Sequence, residues 1–105
     1  MDDGNQLDVP PSFTALFTTP GGYKLTEPLR VVRERYELCE DMAQMLTEQA
    51  SAAQFKTGAS ESEVLAGVQQ ALSAEGGPLG AAEARWVATR IAELLGWPMP
   101  AQSAP

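Results

Sequence analysis

The residues with the most chemistry in them gather between positions 24 and 41. Lys24, Arg30, Arg33 and Arg35 place four of the chain's seven basic residues within twelve positions. They stand near the start of a helical pattern, and guanidinium groups and helix N-termini both favour anions, so one reading is a phosphate or carboxylate site. The plainer reading is local ion pairing. Arg30 with Glu34 and Arg33 with Glu37 stand at i,i+4, where a pair gives about 0.2–0.5 kcal/mol. At about 100° per residue, Arg30 and Arg33 fall on the polar arc and Arg35 on the other side, so the three do not converge. The plainer reading is preferred. Arg35 itself lands in the apolar arc, between Leu38 and Cys39 and near Met42. A charge there must reach water, pair with a carboxylate or face a partner, and Glu63, Glu83 and Glu93 are the candidate carboxylates.

Three further features invite a chemical reading. Trp86 sits with Ala82, Thr89, Arg90 and Glu93, away from the apolar side of its helix. Tryptophan and arginine are enriched at binding hot spots, so Trp86 and Arg90 suggest a partner surface, although cover by another segment of the chain would explain the tryptophan equally. Glu37, Glu40, Asp41 and Glu48 share the polar arc of one helix. They would draw a basic partner, or simply keep a solvated face soluble. Cys39 stands in an apolar seam, where a cysteine behaves as a small hydrophobe, and Met42 and Met45 read as core.

Composition removes whole classes of function. The chain holds 105 residues with no histidine, one cysteine and a formal charge of −7. A Cys/His zinc site needs three or four thiolate or imidazole ligands, and Ser–His or Cys–His catalysis needs an imidazole base. A lone cysteine forms no intramolecular disulfide. The acidic balance argues against a phosphate-backbone binder, which needs clustered Lys and Arg. No stretch has the roughly 20 apolar residues of a membrane span, and Met1–Asp8 is acidic where a signal peptide is basic and then apolar. The expectation is a cytoplasmic protein with no metal and no cofactor, and with neither nucleic acid nor membrane as partner.

These groups must be positioned by helices. A long helix is expected from about Glu27 to Lys56, with Thr26 as N-cap, Pro28 in the first turn and Gly58 as the stop. Leu29, Val32, Tyr36, Cys39, Ala43, Leu46, Ala50 and Ala53 form one apolar row at spacings of three and four. Val31, Leu38, Met42 and Met45 form a second row, about 110° round the wheel from the first. Apolar over half its girth, this helix should be central and covered from two directions. A second helix, about Glu61 to Glu75, opens on the capping box Ser60-x-x-Glu63 and ends at Gly76-Gly77-Pro78. Gly67 inside it costs up to about 1 kcal/mol relative to Ala unless a neighbouring helix uses the missing side chain. A third, about Ala81 to Leu95, ends at Gly96-Trp97-Pro98, where Trp97 should pack back on the last turn.

Residues 12–25 read as a short helix capped by Ser12 or as an irregular segment. A small β-hairpin of Phe13–Thr18 with 23–26, joined by a type II turn at Thr19-Pro20-Gly21-Gly22, is the competing reading. In either form Phe13, Leu16, Phe17 and Tyr23 should cover one apolar row of the long helix. The fold class is therefore all-α or nearly so: a three-helix bundle with one long central helix and an N-terminal aromatic segment. Residues 12–97 form its single domain, between a disordered acidic tail, 1–11, and a disordered Pro-rich tail, 98–105.

The leading functional reading is a non-catalytic protein-interaction or adaptor module of bacterial type. Its candidate partner-binding residues are Trp86, Arg90, Arg35, Glu37, Glu40 and Asp41. The alternative is an acidic regulatory protein that occupies a basic groove, as a nucleic-acid mimic or toxin neutraliser would. A small enzyme or ligand carrier using Arg35, Tyr36 and Cys39 stands third. The long helix outreaches its two partners, so a homodimer through an isologous contact is a further way to cover it.

Overall fold

The computed structural model describes residues 9–22 and 24–98, and in these the chain is helical. Four helices follow in order: α1 (Pro11–Thr14), α2 (Leu29–Thr57), α3 (Glu61–Ser73) and α4 (Ala81–Leu95). A 3-10 turn, Ala15–Phe17, continues α1. Two compact units form, residues 1–38 and 39–105, and the division falls inside α2. Both proposed tails lie largely outside the described residues. Within the N-terminal one, Val9 is buried, and the Pro10 carbonyl accepts the amides of Phe13 and Thr14 at 2.9 and 3.0 Å.

In the first unit the chain starts with an aromatic knot. Pro10, not Ser12, is the N-cap of α1, whose fixed prolines suit the first helical turn. Phe13 is fully buried, with its ring 5.5 Å from Phe17 and 5.6 Å, edge to face, from Tyr36. These contacts bring the N-terminal segment onto the first apolar row of α2. The hairpin does not form. Its trace is one isolated antiparallel bridge, Thr18 to Leu25, and no strand is present among the described residues. The turn between them is closed by Gly22 N–H to Thr19 C=O at 2.7 Å. Positive φ falls on Gly22 and not on Gly21, so it is not the type II turn of the hairpin reading.

The start of α2 differs from expectation for a tertiary reason. Thr26 does not cap the helix, because its amide and hydroxyl both donate to the Phe17 carbonyl, at 2.6 and 3.2 Å. Pro28 instead accepts the first helical amides, those of Val31 and Val32. The far end behaves as read: Gly58 adopts φ +72° and terminates the helix after Thr57. Between these ends α2 is about 44 Å long. The first apolar row is buried at Val32, Cys39, Ala43 and Ala50. The second row is not covered as expected. Leu38 is 38% exposed and Met45 67% exposed, while Val31 and Met42 are half-buried. Apolar spacing shows which side of a helix could be buried, but nothing obliges the chain to supply a cover.

In the second unit, α3 and α4 are built from local signals and pack against each other. Ser60 Oγ accepts the Glu63 amide at 3.1 Å and Glu63 Oε1 accepts the Ser60 amide at 3.0 Å, completing the capping box. The connection turns through Gly76 and Gly77, and the Leu79 amide returns to the Leu72 carbonyl at 3.1 Å. A Cβ on Gly77 would meet the carbonyl oxygens of Leu72 and Ala74 at 2.6 and 2.8 Å, so only glycine fits there. Helix α4 closes in a Schellman motif: Trp97 N–H to Ala92 C=O at 2.9 Å, and Gly96 N–H to Glu93 C=O at 3.3 Å. Leu65, Ala84, Val87, Ala88, Ile91 and Ala92 are buried in this unit.

Candidate docking groove

The residues singled out for chemistry separate when the chain folds. Arg90 is engaged within the chain. Its Nε and Nη2 donate to the two carboxylate oxygens of Glu40, at 2.8 and 3.1 Å, and its Nη1 donates to Glu93 at 3.0 Å. Gln44 Nε2 adds a hydrogen bond to Glu40 at 2.7 Å. This planar fork ties α4 to α2 across fifty residues of sequence. The Arg90 guanidinium holds the Glu40 carboxyl below the usual carboxylate range, against the opposing effect of burial. The same bonds raise Arg90 further above its ordinary value. Glu40 and Arg90, both singled out as partner-binding candidates, are thus bound to each other.

The remaining candidates are placed as follows. Glu37, Asp41 and Glu48 are exposed, whereas Trp86 and Arg35 are half-buried and have partners within the chain. Of the three carboxylates weighed for Arg35, Glu63 is in the capping box, Glu93 pairs with Arg90 and Glu83 is buried. Arg30 and Glu34 approach to 3.6 Å with both side chains well exposed, a solvent-screened pair of little energetic weight. Arg33 Nε is buried without a hydrogen-bond partner. Cys39 is buried, so its thiol is withdrawn from reagents and substrates. Among the described residues, no three His, Cys, Asp or Glu side chains are grouped to hold a metal ion. None of the described helices is long and apolar enough to cross a membrane.

What the structure adds is a groove. It runs between the C-terminal half of α2 and α3, holds about 450 Å³, and lies within the second unit. Leu46, Gln49, Ala50, Ala53 and Thr57 form one wall, with Glu63, Val64, Gly67, Val68, Ala71 and Leu72 on the other and Ala59 at the connection. The helical repeat explains the first wall, since 46, 50, 53 and 57 recur at spacings of three and four. On the second wall, 64, 67, 68 and 71 do the same. The lining is apolar and small, and its one charged side chain is Glu63.

Gly67 is the telling member. A Cβ added there would meet nothing within 4 Å. Its φ is not positive, so the backbone does not need glycine either. Of the two cases the sequence leaves open, no neighbouring helix of the chain uses the missing side chain. A mid-helix glycine that costs about 1 kcal/mol relative to Ala faces open space at the groove. The signal for the groove was present in sequence as small residues on the facing stripes of two helices, but spacing alone does not say whether those stripes meet or stand apart. Phe55, 91% exposed near the end of α2, also escaped the sequence reading. No known family, curated protein or solved structure matches the chain.

Proposed function

We propose that this protein is a small, acidic, non-catalytic interaction module of the cytoplasm, and that its docking surface is the α2–α3 groove. The observation that carries the reading is the open space in front of Gly67, in an apolar groove that the chain's own side chains leave unfilled. An apolar groove of this volume offers a partner surface to bury, which supports the reading. The groove replaces the Trp86/Arg90 face as the preferred surface, because Arg90 is already held by Glu40 and Glu93.

The test compares wild type with Gly67→Leu and Ala71→Leu, which fill the groove without changing charge. Each is immobilised and exposed to extract of the native host. A partner retained by wild type and lost from both variants, with helical content retained and the urea midpoint not lowered, is the expected result. Partners retained equally by all three proteins would remove the groove as the docking surface.

A further inference from the structure

We infer that the groove takes an amphipathic helix of a partner protein, apolar on the buried face and lysine- or arginine-rich on its flanks. This rests on the groove being the docking surface and adds the class of partner.

Backbone chemistry selects a helix. Both walls are α-helices whose amide and carbonyl groups bond within themselves, so the groove offers no free main-chain edge for an extended peptide to pair with. A segment bound here must bring its own satisfied backbone. Length agrees: the wall from Leu46 to Thr57 rises about 16 Å, or roughly three helical turns. Small residues at Ala50, Ala53, Gly67 and Ala71 let a helix approach closely. The groove is open along its side, so it would leave much of an acyl chain or small molecule in water, unlike the enclosing pockets such ligands occupy.

Charge selects the flanks. Residues 39–105 hold eight carboxylates and three cations, Lys56, Arg85 and Arg90. Arg90 is neutralised by Glu40 and Glu93, and the one charge in the lining is the Glu63 carboxylate. The unit's net negative charge attracts a basic helix and repels an acidic one. A second copy of the chain brings the same negative charge, which disfavours it as occupant.

The probe is a labelled helical peptide of about four turns, with Leu at i, i+3, i+4 and i+7 and Lys elsewhere. A twin carries Glu in place of every Lys. Anisotropy on the full chain near physiological salt should give at least a tenfold preference for the Lys peptide. Gly67→Leu and Ala71→Leu should each weaken its binding at least tenfold at unchanged net charge. Amide shifts in wild type should concentrate at Ala50, Ala53, Val64 and Val68, which keeps the test decisive should a variant fold poorly. Equal binding by filled and open proteins, equal binding of the Glu twin, or shifts centred elsewhere would overturn the inference. So would light scattering that finds a wild-type dimer broken by both substitutions, since a second copy would then be the occupant. Should a host protein still be captured through Gly67 while the Lys peptide fails, the groove stands as a docking surface and only the basic helix is lost.

Discussion

Helix α3 has two very different neighbours. Towards α4 it meets a closed interface: Leu65 and Ile91 are buried, the Leu79 amide is returned to Leu72, and Gly77 approaches backbone so closely that no Cβ fits. Towards the second half of α2 it borders an open groove, where Gly67 faces nothing within 4 Å. Both sides use the same small and aliphatic residue types. The closed side is spanned by a turn in which no Cβ fits at Gly77, and α4 is pinned to α2 by an arginine fork. Composition thus does not distinguish a closed interface from an open groove; closure does. The closed side should carry the stability and the open side should be free to change.

Four measurements bear on that contrast. Ile91→Ala, on the closed side, should lose about 2–5 kcal/mol in urea unfolding, through lost burial and the cavity left behind. A loss below 1 kcal/mol would mean the side is not closed. Glu40→Gln removes the charge that Arg90 grips and should cost about 1–2 kcal/mol, since the pair is only partly buried. Its pH dependence has a definite sign. The folded carboxyl titrates below the ordinary value of 4.5, so its contribution is complete above that value and falls away as the pH drops through the depressed one. The stability gap between wild type and Glu40→Gln should therefore narrow in acid; a gap that widens there would contradict the fork.

Ser60→Ala strips the capping box at the start of α3 and should cost about 1 kcal/mol, without altering the groove lining. The smallest effect has the opposite sign. Gly67→Ala should stabilise the protein by about 0.5–1 kcal/mol, because a better helix former enters empty space. A destabilised Gly67→Ala would show that something in the chain already occupies the groove.

Legibility in the sequence follows how local each cause is. Helix α4 lies where the sequence places it because Gly96-Trp97-Pro98 is a stop complete in itself, and the capping box at Ser60 and Glu63 is equally self-contained. The start of α2 was displaced because Thr26 prefers a carbonyl on Phe17, nine residues away. Glu40 and Arg90 were each visible as charges, but nothing in a one-dimensional pattern joins partners fifty positions apart. Leu38 and Met45 were read as covered because periodicity reports a stripe and is silent about what lies over it. Gly67 is the same lesson reversed: a cost was legible, while the empty space that explains it was not.

Cys39 has a practical consequence. As the chain's single thiol, fully shielded at the boundary of the second unit, it can be modified only when its surroundings open. The alkylation rate of the untouched protein therefore clocks that opening, residue-specifically and without an introduced label. Slow alkylation in a protein whose groove still admits a peptide would show breathing and docking to be separate motions.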